Sequence, residues 1–185
     1  MLFKNLLCFI LFVFTPLASL NAAADLIQFD DTVTPALRME LNGDFDFLSS
    51  VQSEKTSPLH RELFGMVQGA SYLQWFNARV YRLGVDVCGG PASVACQMNA
   101  YPHQIFVTPN YVQNGYPQIA RLMTLFHEAR HSEVENNHWP HARCSLTYPE
   151  ISIWTGLGLK GHYACDSSEY GSYASASVML NNISK

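Results

Sequence analysis

The stretch TLFHEARHSEVENNHWPHARC, Thr124 to Cys144, constrains the fold more than any other part of this chain, because it holds four of its seven histidines. The segment that leads into it has the i, i+3, i+4, i+7 apolar spacing of an amphipathic helix. The apolar positions are Ile119, Leu122, Met123, Phe126 and Ala129. Pro117 suits the first turn of such a helix. The sequence therefore predicts a helix with a buried apolar stripe whose last turn carries the first histidines.

His127 and His131 are four residues apart, so one helix face presents both imidazoles. Two histidines in this register can bind one Zn²⁺ at about 2.0–2.1 Å, with Glu128 held over the open coordination position. There Glu128 can act as general base towards a water whose pKa the ion has lowered to about 7. The HExxH motif thus predicts one Zn²⁺ per chain and a hydrolytic site. A salt-bridged helix surface carrying Glu128, Arg130 and Glu133 is the alternative interpretation.

Three short extended segments are predicted before this helix. In YRLGVD, Tyr81, Leu83 and Val85 alternate with other residues at the period of a half-buried strand. CGGPASVACQMNA predicts a turn followed by a second extended piece, and QIFVT, from Gln104, predicts a third strand. PNYVQNGYP is predicted to be a loop, and TSPLHRELFGMVQGASYLQWFNA a mixture of helix and turn.

A further helix is predicted near the C-terminus, in a run through Tyr173, Ser177 and Leu180. Asp166 and Glu169, three residues apart, have the spacing of a capping box in front of this run. The chain is thus expected to alternate strands and helices, with the histidine-rich stretch between the last strand and the last helix.

From about Tyr81 to the C-terminus the chain resembles the zincin metallopeptidases, in which strands precede a long helix bearing HExxH and a later turn returns a third ligand. HEARH, then HARC, then CDSSEYGSY, are similar to a group of exported bacterial zincin-like proteins with HEARH, an HxxC and a later Cys-Asp before Gly-x-Tyr. The resemblance implies a zinc site and an α+β fold, with a small mixed sheet followed by the HExxH helix and a C-terminal helix. Tyr173 matches the tyrosine of Gly-x-Tyr and is the candidate for stabilising the oxyanion, with a core aromatic as its alternative role.

The sequence leaves the third metal ligand open. The extended metzincin motif has its third histidine six positions after the second, but Asn137 stands there in this chain. His141 follows Trp139-Pro140, where the helix must have ended, and a turn tied by a disulfide could return it to the metal. His141 is therefore the favoured ligand and His138 an alternative.

Asp166 is the second alternative, because aspzincins supply an aspartate from a later segment similar to CDSSEYG. Its other expected role is to orient a ligating histidine. The remaining acidic candidates are Glu133, Glu135 and Glu169. The isolated histidines, His60, His103 and His162, are interpreted as solvated or hydrogen-bonded structural residues.

Residues 1–24, MLFKNLLCFILFVFTPLASLNAAA, are predicted to be a signal peptide, because the apolar run is short and ends in small residues. Residues 25–185 are then expected to form a single domain that is exported to the periplasm or the outside of the cell and keeps no stable membrane anchor after cleavage. Four cysteines remain, an even number that favours disulfides over a zinc–cysteine site. Three pairings are possible, and the local one is favoured: Cys88 with Cys96 and Cys144 with Cys165.

The net charge of −4 and the absence of a Lys/Arg cluster argue against binding to nucleic acid or to an anionic membrane. The expected partner is a peptide or protein substrate, and the expected reaction is hydrolysis of a peptide bond. Two other functions are compatible with the motif: a structural or interaction module with a closed zinc site, and a zinc amidase that acts on cell-wall cross-links. The sequence does not predict the oligomeric state.

Overall fold

The computed structural model describes residues 27–91, 93–152 and 156–183. The predicted signal peptide, residues 1–24, lies outside the described residues. Within these ranges the helices are α1 (Pro35–Ser50), α2 (Pro58–Phe64), α3 (Gly69–Asn77), α4 (Pro109–Gln113), α5 (Gln118–Arg130) and α6 (Ser172–Ile183). The strands are β1 (Gln28–Phe29), β2 (Gln52–Ser53), β3 (Val67–Gln68), β4 (Arg82–Val85), β5 (Ala95–Gln97), β6 (Gln104–Val107), β7 (Ala142–Arg143) and β8 (Tyr163–Cys165).

The main sheet has four strands in the order β1-β4-β6-β5. β1, β4 and β6 are parallel, and β5 lies at the edge, antiparallel to β6. β2 pairs with β3 and β7 with β8 in two separate antiparallel ladders. The fold is therefore α+β with a small mixed sheet, as predicted. The three predicted extended segments are β4, β5 and β6.

Helix α5 carries HEAR, the first four residues of the HEARH motif, and is anchored by Phe126, which is fully buried. The Phe126 ring stacks on Trp75 with centroids 5.3 Å apart and also contacts Phe76 at 5.3 Å. Such aromatic pairs add to the free energy gained from burial alone. Because Phe126 directly precedes His127, this packing fixes the rotation of α5 about its axis and its position along that axis at the turn that carries His127.

The apolar stripe of α5 differs from the prediction at one residue. Leu122, Phe126 and Ala129 are buried as expected, but Ile119 is 39% exposed. The buried face begins with Leu122, one turn later than predicted, because the first turn of α5 lies at the surface. Met123 is half-buried and lines the cleft described below.

Two local predictions were wrong. PNYVQNGYP is not wholly a loop, because α4 forms at its start, with a proline in the first turn and Tyr111 buried against the core. Asp166 and Glu169 do not form a capping box, because α6 begins only at Ser172. Instead, the carboxylate of Asp166 reaches over Gly171 and its Oδ2 accepts from the amide of Ala174 at 2.7 Å. A Cβ at Gly171 would lie 2.2 Å from the Asp166 carboxyl carbon, so only glycine permits this approach.

Helix α1 was not predicted, and its start has a clear local cause. The Thr34 hydroxyl accepts from the amide of Leu37 at 3.2 Å, and Pro35 occupies the first helical position. Leu41, Phe45 and Leu48 bury its inner face. No helix in the described ranges combines the length and the apolar character needed to cross a bilayer.

Both predicted disulfides are present: Cys88 is joined to Cys96, and Cys144 to Cys165. Two disulfides indicate an oxidising, extracytoplasmic environment. The first ties the loop before β5 to that edge strand. The second joins the segment after β7 to β8, and so fixes the chain on either side of the long loop between them.

Candidate metal centre

Three imidazoles converge at the C-terminal end of α5. Nε2 of His131 lies 3.3 Å from Nε2 of His127 and 3.2 Å from Nε2 of His141. These three residues form a group whose ligand atoms all lie within 4.8 Å of one another and could hold a metal ion. His131 follows the last residue of α5 but keeps a helical backbone, with φ −66° and ψ −10°. The predicted i, i+4 presentation of the first two histidines is therefore maintained.

The hydrogen bonds fix the orientation of the His131 ring. Its Nδ1 lies 2.7 Å from the carbonyl oxygen of His138, which can only accept, so Nδ1 carries the proton. In the neutral ring Nε2 then has a free lone pair directed at the other two histidines. This is the tautomer that a metal bound through Nε2 requires.

All three imidazoles are held in the neutral form. Burial lowers the pKa of His127 well below its usual value, and charge on His131 or His141 would lower it further. Burial also lowers the pKa of His131, against the opposing effect of its bond to the His138 carbonyl. Burial, followed by the effect of His131, lowers the pKa of His141 to about 4. Near pH 7 the group thus has the protonation state in which histidine binds metals.

The chain reverses between His131 and His141 through an unusual turn. Asn137, His138 and Trp139 all have positive φ, at 51°, 60° and 45°. A left-handed conformation costs a non-glycine residue roughly 1–2 kcal/mol, so three in succession require specific support from their surroundings. Pro140 then directs the chain towards β7, and His141 enters the site just before that strand.

Glu128 lies beside the histidine group, and its two carboxylate oxygens have different surroundings. Oε2 accepts from the backbone amide of Gln97 on edge strand β5 at 3.0 Å. Oε1 lies 4.0 Å from Nε2 of His127, facing the group. Burial raises the pKa of Glu128 to about 7, although the Gln97 amide partly offsets this effect. A carboxylate with this pKa can accept and release a proton near neutral pH.

Gln97 was not among the predicted site residues. Its contribution is a backbone amide, which any residue other than proline could supply, so no sequence signal marks it.

Tyr173, on α6, packs against the histidine group. Its ring centroid lies 4.2 Å from that of His127 and 4.9 Å from that of His141. Burial, and then the negative charges of Glu128 and Asp166, raise the pKa of Tyr173 to about 12. Its hydroxyl therefore stays protonated and able to donate near pH 7.

The alternatives for the third ligand occupy different positions. His138 points away from the group: its Nδ1 lies 2.8 Å from the carbonyl oxygen of His131, the reverse of the bond described above. Asp166 lies outside the group of mutually close ligand atoms. Its Oδ1 is 3.9 Å from Nδ1 of His141, and both atoms are buried with no hydrogen-bond partner among the described residues. Among the residues that the structure describes, the three histidines alone make up the cluster.

The remaining acidic candidates are also away from the cluster. Glu133 is buried in ion pairs with Arg79 and Arg130, whereas Glu135 and Glu169 are exposed. The salt bridge of the alternative interpretation thus exists between Arg130 and Glu133, but it is buried and does not include Glu128.

A cleft of about 390 Å³ opens next to the histidine group. Its lining includes four residues of the site, His127, Glu128, His141 and Tyr173. Around them it is mainly apolar, with contributions from Val94, Ala95, Met123, Leu157, Tyr163 and Ala164. His162, interpreted from the sequence as a solvated or structural residue, is exposed and also lines the cleft. His60, by contrast, is a buried structural residue, with its ring nitrogens bonded to Thr56 and Tyr72.

Comparisons of the chain with protein-family models, with curated proteins and with solved structures found no match. The residues and geometry of the site are therefore the basis for any functional conclusion.

Proposed function

We propose that the protein is an exported, zinc-dependent metallopeptidase in which His127, His131 and His141 hold one Zn²⁺ and Glu128 is the general base. The observation that carries the proposal is the spacing of the Nε2 atoms, 3.2 and 3.3 Å. Tetrahedral zinc with bonds of about 2.0–2.1 Å places its nitrogen ligands about 3.3–3.4 Å apart. Three protein ligands next to an open cleft are typical of catalytic zinc, whereas structural sites are usually closed by four.

A bound Zn²⁺ would supply Lewis-acid chemistry and would lower the pKa of a water at the open position to about 7. Oε1 of Glu128 accepts the proton of the attacking water, while the Gln97 amide holds Oε2 in place. As the peptide C–N bond breaks, Glu128 passes this proton to the leaving nitrogen and returns to its ionised form. The Tyr173 hydroxyl donates to the carbonyl oxygen as that atom gains negative charge.

The substrate class follows from the shape and lining of the cleft. It is open, mostly apolar and bordered by the extended edge strand β5, all of which suit a peptide segment with an apolar side chain. The same chemistry would cleave the amide of a cell-wall cross-link, so fragments of peptidoglycan belong in the assay.

The test is Glu128→Gln. The amide keeps the shape of the side chain and can still accept from Gln97, but it cannot take a proton. We expect one zinc per chain in both proteins and a fall in turnover of about 10²–10⁴-fold in the variant. Elemental analysis measures the zinc, and cleavage of a broad peptide library and of peptidoglycan fragments measures turnover.

Glu135→Gln is the matched control, because it makes the same chemical change at an exposed glutamate outside the site. Turnover by Glu128→Gln at the wild-type rate would exclude Glu128 as the base. A wild-type protein that binds one zinc but cleaves none of these substrates would favour the non-catalytic zinc module instead.

A further inference from the structure

Glu133 is buried and accepts four hydrogen bonds from charged or polar side chains, although it belongs neither to the histidine group nor to the cleft. Oε1 accepts from Nε of Arg79 at 2.6 Å and from a terminal nitrogen of Arg130 at 2.5 Å. Oε2 accepts from the Asn136 amide at 2.8 Å and from the Trp139 indole at 2.7 Å. We call these five residues the Glu133 node.

The node holds both ends of the left-handed turn. Asn136 immediately precedes the three residues of positive φ, and Trp139 is the last of them. The backbone contributes as well, because the Glu133 carbonyl accepts from the amide of His138 at 2.9 Å. Glu133 thus makes hydrogen bonds to the start, the middle and the end of a turn whose backbone conformation is unfavourable by itself.

The node is also fixed to the core of the protein. The Arg79 guanidinium lies 3.8 Å from the centre of the Trp75 ring, and Trp75 stacks on Phe126 of α5. Arg130, the last residue of α5, lies 4.4 Å from the centre of the Trp139 ring. The turn is therefore attached to α3 and to α5, the helix that carries His127 and ends directly before His131.

Beyond Trp139, only Pro140 separates the turn from His141. The position of the third imidazole therefore depends directly on the conformation of residues 137–139. The paired bonds between His131 and His138 connect the same turn to the second imidazole.

We propose that Glu133 is a positioning residue for the metal site: its carboxylate, through Asn136 and Trp139, holds the left-handed turn in the conformation that brings His141 to His127 and His131. This inference rests on the metal site of the proposed function but not on its catalytic activity.

The test is Glu133→Gln, which keeps the size of the side chain. An amide has one oxygen, and its NH₂ group must face donors on one side of the node, so at least two of the four bonds are lost. We expect the dissociation constant for Zn²⁺, measured by competition with a chelator, to rise about 10–100-fold. Trp139→Phe removes a single donor while keeping an aromatic ring near Arg130, so it should raise the constant by a smaller factor. The control Glu135→Gln should bind zinc like the wild type.

A double-mutant cycle distinguishes positioning of His141 from general damage to the fold. In a His141→Ala background Glu133→Gln should cause a much smaller further loss of affinity, because the turn then acts on the metal site only through the bond between His131 and the His138 carbonyl. Cu²⁺, which binds nitrogen ligands more tightly, can be titrated where two histidines hold zinc too weakly. Hydrogen exchange of residues 134–141 in the metal-free protein should be faster in Glu133→Gln than in Glu135→Gln.

Three results would each overturn the inference. Glu133→Gln could bind zinc with wild-type affinity, or it could lose the same factor of affinity with and without His141. The third is an unchanged rate of hydrogen exchange in residues 134–141. Failure of the proposed function would look different: the wild-type protein would bind zinc and depend on Glu133 for it, yet cleave no substrate.

Discussion

At the scale of single residues, the Asp166 carboxylate faces the third imidazole, with its Oδ1 3.9 Å from Nδ1 of His141. A histidine that binds metal through Nε2 carries its proton on Nδ1, and a carboxylate facing Nδ1 stabilises that tautomer. Oδ2 of Asp166 is bonded to the Ala174 amide, so Oδ1 remains to face His141 at 3.9 Å. A movement of about 1 Å would make this contact a hydrogen bond.

Asp166→Asn tests this role. The Asn oxygen can keep the bond to the Ala174 amide, but its NH₂ then faces Nδ1 of His141 and favours the wrong tautomer. We expect the dissociation constant for zinc to rise about 10–100-fold while the stoichiometry stays at one per chain. Chelator competition and elemental analysis measure the two quantities.

Glu169→Gln, at an exposed acid in the same segment, is the control and should leave zinc binding unchanged. Loss of zinc in Asp166→Asn as complete as in His141→Ala would instead make Asp166 a ligand. If the zinc affinity of Asp166→Asn equals that of the wild type, the role of Asp166 is limited to its bond with the Ala174 amide at the start of α6.

The sequence predicted the site only as far as local spacing determines it. His127, Glu128 and His131 follow from one helical period, because side chains four residues apart share a face. The choice among His141, His138 and Asp166 depends on a turn supported by Arg79, 54 residues before its partner Glu133. The spacing of residues within a short segment does not indicate a contact between residues so far apart in the sequence.

At the scale of elements, the position of α5 depends on Phe126. Its ring contacts aromatic side chains from α2 and α3, including Phe64 and Tyr72 at 6.1 and 6.3 Å. Removing it would leave a cavity directly beneath the HEARH turn, because close-packed neighbours relax only partly.

Phe126→Ala should therefore lower the free energy of unfolding by about 3–5 kcal/mol. Ile119→Ala, on the same helix but 39% exposed, is the control and should cost far less. Urea denaturation followed by circular dichroism measures both. A loss below about 1 kcal/mol in Phe126→Ala would show that Phe126 does not anchor α5 beneath the histidine group.

The element predictions succeeded where a strand or helix is determined by its own periodicity, as in β4, β6 and α5. They failed where a contact between residues far apart in the chain determines the local structure. Tyr111 is buried in the core, and this favours α4 within a segment whose composition is that of a loop. Asp166 lies over Gly171, and α6 starts after that contact rather than at Asp166. Both are tertiary effects that override local signals.

At the scale of the whole molecule, the strand order and the disulfides bring the parts of the site together. β1 pairs with β4, and its Gln28 is matched with Arg82, a partner far along the chain that local periodicity does not indicate. The disulfides were predictable because even, closely spaced cysteines leave few pairings. They connect different parts of the site: Cys96 lies on β5 next to Gln97, whereas Cys144 and Cys165 flank the segments that carry His141 and Asp166.

The two disulfides should therefore differ in their effect on the proposed metal site while resembling each other in their effect on the free energy of unfolding. Closing a loop of the size between Cys144 and Cys165, 21 residues apart, stabilises the fold by about 3 kcal/mol, and the shorter Cys88–Cys96 loop by slightly less. Replacing Cys144 and Cys165 together by serine should lower the unfolding free energy by about 3 kcal/mol and also weaken zinc binding, because β7 and β8 then hold His141 and Asp166 less firmly. Replacing Cys88 and Cys96 should lower stability similarly but leave zinc affinity close to that of the wild type, because the edge strand supports Glu128 and no ligand. Denaturant titration and chelator competition on the two double variants measure both effects, and equal losses of zinc affinity would contradict a separate role for the Cys144–Cys165 bond.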